Sequence, residues 1–151
     1  NVDLDTNILV SAAWSPGKTA SDILNTAFSG RFNIFYDLRI MEEYYYVMHY
    51  PKFGFKGWEI DAVLEPIVKY GTVIAAEPVT DIVFTDESDR KFYEVAKTAG
   101  AILVTGNMRH YPSDGIAKQV IPASTPDSEE NRKHQQLHSL SHRALCLSHP
   151  S

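Results

Sequence analysis

Residues 84–112 constrain the fold of this chain more than any other stretch. They read FTDESDRKFYEVAKTAGAILVTGNMRHYP, which predicts a loop, a helix, a short turn, a buried strand at residues 101–104 and a second loop. Carboxylates crowd the start of the helix, and the polar turn Thr105-Gly106-Asn107 follows the strand. A helix start and a strand end can lie at the same edge of a parallel sheet, where open α/β sheets bind their ligands. The stretch therefore predicts an α/β fold with a ligand site at one sheet edge.

Hydrophobic periodicity and turn residues extend the same alternation along the rest of the chain. Strands are predicted at about residues 2–5, 32–36, 72–76, 102–104 and 119–121. Helices are predicted at about residues 8–14, 19–28, 38–50, 59–70 and after Asp89, with a kink or break at Pro66 in the fourth. Strands that alternate with helices form a mostly parallel sheet covered on both faces, so the predicted fold class is α/β.

The charge balance argues against a simple polyanion-binding surface. The chain carries 14 Lys and Arg against 19 Asp and Glu, a formal net charge of −5. An acidic domain attracts a polyanion only where its carboxylates bind divalent cations, which reverse the local charge. A nucleic-acid function therefore requires acidic side chains that converge on metal ions.

Cysteine usage and hydropathy exclude several classes of protein. The single cysteine, Cys146, excludes an intrachain disulfide and a cysteine-based zinc site. No apolar run approaches the roughly 20 residues that a membrane helix needs, so we expect no membrane association. No signal-peptide pattern precedes the first strand, and a cytoplasmic location is expected.

The composition changes in the last part of the chain. Residues 1–123 carry the α/β pattern and form the predicted folded domain, whereas residues 124–151 are rich in Ser, His, Gln and Pro. His134, His138 and His142 are spaced four apart and could share one helix face, but a complete set of metal ligands is missing. We therefore expect a polar, poorly ordered C-terminal tail rather than a second functional site.

Four side chains could supply chemistry at the predicted sheet edge. Asp5 follows the first strand and Asp89 lies in the first turn of a helix, so each taken alone is best explained as a helix cap. Glu43 lies in an apolar, aromatic helix on the same side as Ile40, and it can therefore point inward. Asn107 follows a buried strand, where it also suits a turn. Together these side chains offer oxygen ligands for Mg²⁺ or Mn²⁺, although their spacing alone does not establish a site.

Four motifs occur in register along residues 1–123. They are DTN at residues 5–7, MEEYYYVMHYPKF around Glu43, DESDRKFYEVA around Asp89, and VTGNMRHYP after the fourth strand. With this order and spacing the chain resembles the PIN-domain family. It resembles most closely the VapC-like bacterial toxins of toxin–antitoxin pairs, a subgroup that the runs PKF and TGN mark most sharply.

The resemblance implies a three-layer α/β/α fold with a mostly parallel five-stranded sheet. It also implies a metal-dependent endoribonuclease that uses Mg²⁺ or Mn²⁺, acts on RNA, is inhibited by a cognate antitoxin protein and often forms a homodimer. In such an enzyme, one or two ions bind the scissile phosphate and activate the attacking water.

The resemblance also assigns candidate roles to single residues. Asp5, Glu43 and Asp89 fall on the first three acidic positions of the family. Asn107 falls where many members carry a fourth Asp, which removes one negative charge and leaves the number of metal ions open. Asp86 could supply the missing carboxylate, because it lies three residues before Asp89.

Further polar residues lie beside these acids in the sequence. Thr6 and Asn7 look like the polar residues of the family that orient the preceding Asp or a phosphate. Four basic side chains could contact the RNA backbone, although ordinary surface charge is an alternative role for each. These basic residues are Arg90, Lys91, Arg109 and His110.

Two other functions fit parts of the same pattern. A PIN module weakened by Asn107 would bind RNA or an antitoxin without cleaving RNA. A haloacid-dehalogenase-like phosphatase would use Asp3 and Asp5, since Asp3-Leu4-Asp5 resembles the DxD motif of that family. Asn7 stands where that motif has Thr or Val, so the phosphatase ranks last. Outside that hypothesis, Asp3 is expected to lie at a sheet edge or in a pair.

Overall fold

Strands and helices alternate in the computed structural model, which describes residues 1–15, 17 and 19–120. The strands are β1 (Val2–Leu4), β2 (Phe35–Tyr36), β3 (Thr72–Val73), β4 (Ile102–Thr105) and β5 (Ala117–Gln119). The helices are α1 (Thr6–Trp14), α2 (Thr19–Phe28), α3 (Leu38–Met48), α4 (Gly57–Tyr70) and α5 (Arg90–Ala99). Short 3₁₀ turns occur at Pro51–Phe53, Glu87–Asp89 and Met108–His110. The predicted α/β class is confirmed, whereas the predictions for residues 124–151 lie outside the described residues.

The strands form two small parallel sheets and not the single five-stranded sheet that the resemblance implied. In one sheet β4 lies between β1 and β5, and in the other β2 pairs with β3. An isolated parallel bridge between Val2 and Ile34 links the two sheets. The five strands are therefore not all in one sheet, because β1 and β2 meet only at this single bridge and form no continuous ladder.

The pairing of β1 with β4 determines which residues meet at one edge of the larger sheet. Leu4 lies opposite Val104 in the parallel register, and the amide of Asp5 donates to the carbonyl of Val104 at 2.9 Å. The chain therefore leaves β1 at Asp5 and leaves β4 towards Asn107 on the same side. Helix α5 packs against β1, β2 and β4, which brings its N-terminal end to this region.

Helix α4 continues through Pro66, where a kink or break was predicted. A proline inside a helix costs about 3 kcal/mol, because it removes one hydrogen bond and crowds the preceding turn. Four apolar side chains on one face of α4 are buried, and each contributes about 1.5–3 kcal/mol. The packing of this face therefore outweighs the lost hydrogen bond. The four residues are Ile60, Val63, Leu64 and Ile67.

The connection from α5 to β4 is short and depends on a glycine. Gly100 ends α5 with φ at 60°, in the left-handed region that glycine enters without steric cost. The amide of Ala101 then donates to the carbonyl of Ala96 at 2.8 Å, and β4 begins at the next residue. This tight turn holds the N-terminal end of α5 and the C-terminal end of β4 in a fixed relation.

Apolar side chains from the strands and from the inner faces of the helices build the core. Among the most buried are Leu4, Ile8, Ile40, Phe92 and Leu103. No helix within the described residues has both the length and the apolar composition needed to cross a bilayer. Acidic side chains also enter this core, and they define the candidate site.

Candidate metal centre

Four carboxylates are buried near the carboxyl end of β1. Asp3 lies within β1, Asp5 follows it, Glu43 lies on α3, and Asp89 ends the turn before α5. Each is at most 4% exposed, although a buried acid is rare unless it is paired or binds a metal ion. We name these four residues the acidic cluster.

The helix-capping explanation for two of these acids is wrong. Asp5 and Asp89 both occupy N-cap positions, yet neither side chain makes a capping hydrogen bond. Other aspartates do cap: Asp37 accepts from the amide of Ile40 at 3.0 Å. The carboxylates of Asp5 and Asp89 are therefore directed into the cluster rather than towards the helix amides.

Two hydroxyl groups hold the carboxylate of Asp5. Its Oδ2 accepts from Thr105 Oγ1 at 2.8 Å and from the phenol of Tyr111 at 3.0 Å. Burial, followed by the negative charge of Asp5, raises the pKa of Tyr111 well above its ordinary value. The phenol therefore keeps its proton and acts as a donor to Asp5.

The carboxylate of Glu43 is held from both sides. Its Oε2 accepts from the hydroxyl of Thr6, and its Oε1 lies 2.9 Å from the ammonium of Lys91. Burial raises the pKa of Glu43, while the charge of Lys91 and the hydrogen bond from Thr6 oppose that rise. Glu43 thus points inward, as its position beside Ile40 predicted.

A third set of contacts joins Asp89 to the turn after β4. Asp89 Oδ2 lies 3.2 Å from Nδ1 of His110, whose Nε2 lies 2.9 Å from the side-chain amide of Asn107. The hydrogen bond with Asp89 is the largest cause of a raised pKa at His110, and burial opposes it. The backbone N–H of Asn107 donates to Thr105 Oγ1 at 3.0 Å. Asp5, Asn107 and Asp89 therefore belong to one connected network.

The remaining supporting candidates hold local structure. Asn7 Oδ1 accepts from the amide of Gly106 at 3.1 Å, which fastens the start of α1 to the turn after β4. Asp86 Oδ1 accepts from the amide of Ser88 at 2.9 Å and from its hydroxyl at 2.7 Å. That oxygen of Asp86 thus serves the 3₁₀ turn before α5, and the replacement for the missing fourth carboxylate stays a prediction.

Asp3 lies on β1, the end strand of the larger sheet, which meets the second sheet only through the bridge between Val2 and Ile34. The predicted alternative of a paired Asp3 is wrong, because both carboxylate oxygens are buried without a hydrogen-bond partner among the described residues. Burial, followed by repulsion from Asp5, raises the pKa of Asp3 well above its ordinary value. With 0% exposure, Asp3 is also inaccessible as the nucleophile that the phosphatase hypothesis requires.

Two of the basic candidates are already bound to other groups of the protein. Arg90 donates to the carbonyls of Val79 and Ile82 and bonds both oxygens of Glu87, at 2.8 and 2.9 Å. The ammonium of Lys91 is engaged with Glu43, as described above. Arg109 is exposed at the rim, beside the half-buried His110. Arg109 is therefore the most exposed of the four basic candidates.

The donor set fits a hard divalent cation in chemistry and charge. The candidate ligands are carboxylate oxygens, which Mg²⁺ and Mn²⁺ prefer, and the four acids lie with one ammonium and one imidazole. In the part of the chain that the structure describes, no three acidic, His or Cys side chains are already gathered closely enough to hold an ion. Asp5, Glu43 and Asp89 would have to move away from their present donors to bind one ion together.

Thr105 and Tyr111 are the site residues that sequence reasoning missed. Thr105 stood at the end of a buried strand beside Asn107, and this position was a usable signal for a hydroxyl near Asp5. Tyr111 carried no such signal, because its contact with Asp5 joins residues 106 positions apart.

Comparison with known protein families gives a match over most of the chain. The model of a family described as PIN domain matches residues 1–109, a range that contains Asp5, Glu43, Asp89 and Asn107. No curated protein and no solved structure matches the chain significantly.

Proposed function

The chain belongs to the PIN-domain family, and on that premise we propose that it is a metal-dependent endoribonuclease. PIN domains are generally nucleases. The finer assignment, to hydrolysis of RNA with Mg²⁺ or Mn²⁺, is supported by the side chains of this chain.

The observation that carries the proposal is the excess of buried negative charge. Four carboxylates lie within the acidic cluster, and Lys91 is the ammonium paired with it. A buried carboxylate without compensation is costly, so a protein retains such a group where a cation binds or where function requires it. The unused capping positions of Asp5 and Asp89 favour the same explanation.

The residues have distinct roles under this proposal. Asp5, Glu43 and Asp89 would hold the metal ion, with the side-chain oxygen of Asn107 as a neutral partner. When bound, a divalent ion supplies Lewis acidity and lowers the pKa of a water molecule beside the scissile phosphate. Thr105 keeps the carboxylate of Asp5 in place through its hydroxyl group.

Other side chains position these acids and the substrate. Thr6 fixes one oxygen of Glu43, and Tyr111 fixes one oxygen of Asp5. His110 holds Asp89 and orients the amide of Asn107. Arg109, at the exposed rim, would attract the RNA backbone.

The biological context is a further part of the proposal. The runs PKF and TGN support a toxin of a toxin–antitoxin pair, which acts in the cytoplasm as a homodimer and is inhibited by an antitoxin protein. The PKF run forms the turn Pro51–Phe53, in which Phe53 is buried and packs edge-on against Trp14. The PKF run therefore contributes to the packing of the domain in addition to marking the resemblance to the toxin subgroup.

A nuclease assay tests the proposal directly. Wild type, Asp5→Asn and the exposed control Asp61→Asn are incubated with single-stranded RNA in Mg²⁺, in Mn²⁺ or in EDTA. We expect wild type and Asp61→Asn to cleave only with metal, and Asp5→Asn to lose about 100-fold or more of that activity.

The same assay distinguishes the nuclease from the second candidate function, binding without cleavage. A module that binds RNA or an antitoxin without cleaving is favoured by Asn107 and by the lysine that already occupies Glu43. Equal, metal-independent background in wild type and Asp5→Asn would contradict the nuclease and leave this binding module.

A further inference from the structure

A lysine side chain points into the acidic cluster. The ammonium of Lys91 lies 2.9 Å from Glu43 Oε1 and 2.5 Å from the carbonyl oxygen of Ser88. The side chains of Lys91 and Glu43 are 12% and 5% exposed, so water screens this ion pair poorly. Lys91 is therefore a largely buried counter-ion of Glu43.

The charge of Lys91 reaches beyond its direct partner. It also acts on Asp3, whose two oxygens are fully buried and have no hydrogen-bond partner in the described part of the chain. Asp3 and Glu43 are thus two buried carboxyl groups beside a single ammonium. The lysine thus occupies a place where the protein already needs positive charge.

We propose that Lys91 is a displaceable resident cation, whose ammonium binds Glu43 Oε1 in the metal-free protein and leaves when a divalent ion takes that oxygen. The inference rests on the metal-dependent function proposed above. An ammonium and a divalent ion repel each other strongly at such short range, so they compete for the same carboxylate.

The surrounding contacts permit this exchange. Thr6 donates to Oε2 of Glu43, so the carboxylate stays oriented while Oε1 changes its partner. The flexible four-carbon stem of a lysine lets its ammonium move several ångströms. The side chain of Lys91 is 12% exposed, and its ammonium must also give up the carbonyl of Ser88 to reach solvent.

The exchange has two measurable consequences. Metal binding must break the ion pair between Lys91 and Glu43, which lowers the affinity of wild type. A neutral side chain of similar length removes this competition, so Lys91→Met is expected to bind a divalent ion roughly tenfold more tightly or better. In wild type, bound metal is expected to make the amine of Lys91 more accessible.

Calorimetric titration with Mn²⁺ measures the first consequence. It compares wild type with Lys91→Met, with the charge-retaining Lys91→Arg and with Lys97→Met, which removes an exposed lysine from the same helix. We expect tighter binding in Lys91→Met alone. Circular dichroism and thermal melting verify that each variant is folded.

Acetylation of lysines in wild type measures the second consequence without any substitution. The protein is treated with acetic anhydride with and without saturating Mg²⁺, and the modification of each lysine is read by mass spectrometry. We expect the rate at Lys91 to rise about threefold or more with Mg²⁺ while the rate at exposed Lys97 stays constant. This readout stands even if Lys91→Met does not fold.

The outcomes separate this inference from the proposed function. If wild type binds Mn²⁺ and Lys91→Met binds it with equal or lower affinity, the resident-cation inference is overturned while the metal site stands. Acetylation of Lys91 that stays equally slow at saturating Mg²⁺ overturns the inference in the same way. If neither wild type nor Lys91→Met binds a divalent ion, the proposed function itself fails.

Discussion

This protein contains two groups of buried acids, which differ in how their charge is balanced. In the first group, Arg39 bridges Asp37 and Glu94, at 2.7 Å and 3.0 Å. The second oxygen of Asp37 caps α3 at the amide of Ile40, and the second oxygen of Glu94 accepts from the amide of Val79 at 3.0 Å. Every carboxylate oxygen of this group thus has a partner, and we name it the bridged pair.

The acidic cluster of Asp3, Asp5, Glu43 and Asp89 contrasts with the bridged pair in both respects. Asp3 has no hydrogen-bond partner among the described residues, and the ammonium of Lys91 pairs with one of the four acids, whereas Arg39 pairs with both acids of its group. Burial of an acid is therefore a poor indicator of function by itself. An excess of negative charge that the surrounding side chains leave uncompensated is the better indicator, because it requires a cation from outside.

The largest expected effect comes from the same substitution made in each group. Glu43→Gln removes a charged candidate ligand, and we expect RNA cleavage to fall about 100-fold or more. Glu94→Gln removes a buried charge of the bridged pair, and we expect cleavage within about threefold of wild type. Initial rates of RNA cleavage at saturating Mg²⁺ compare the two variants. Similar losses in both would contradict a functional difference between the acidic cluster and the bridged pair.

The variant Glu94→Gln, whose cleavage activity should change little, is expected to lose stability. Glu94→Gln replaces the acceptor of Arg39 by an amide that cannot pair with it as strongly, and we expect a loss of about 1–2 kcal/mol in the free energy of unfolding. Because Arg39 is half exposed, a larger loss is not expected. Urea unfolding measures this quantity, and an unchanged midpoint would show that the bridged pair adds nothing to stability.

The local sequence pattern was sufficient for the α/β class and for the strand ends that carry Asp5 and Asn107. Both follow from periodicity and from the rule that parallel strands end at one edge. The sequence pattern did not predict the burial of Asp3, since that burial depends on helices that pack over β1 from distant parts of the chain. It was equally insufficient for the inward course of Lys91, because a helix-surface lysine and a buried counter-ion look alike in sequence.

The pH dependence of Asp3 sharpens the comparison further. A carboxyl group whose pKa is raised in the folded state lowers stability as the pH rises above its ordinary value of 3.8. We expect Asp3→Asn to raise the free energy of unfolding by about 1 kcal/mol at pH 7 and by much less at pH 4. Urea unfolding at the two pH values provides the test, and a gain that is the same at both would contradict an uncompensated charge.

The smallest expected effect concerns the contact between His110 and Asp89. The pKa of His110 is raised in the folded state, so its stabilising effect is complete below 6.5 and is lost as the pH rises through the folded value. We expect His110→Gln to lower the free energy of unfolding by about 0.5–1 kcal/mol at pH 5.5 and by less at pH 8.5, where the imidazole is less often protonated. The effect is small because the side chain of His110 is partly exposed. Thermal melts at both pH values check this, and a larger loss at pH 8.5 would reverse the assigned sign.

Metal-dependent stabilisation tests the central claim most directly, since a ligand that binds only the folded state raises its stability. At a free Mn²⁺ concentration of 100 times the dissociation constant, the gain is about 2.7 kcal/mol. The account predicts this gain in wild type and in Glu94→Gln, and its loss in Asp5→Asn and Glu43→Gln. Equal stabilisation of all four proteins by Mn²⁺ would contradict the assignment of the acidic cluster as the metal centre.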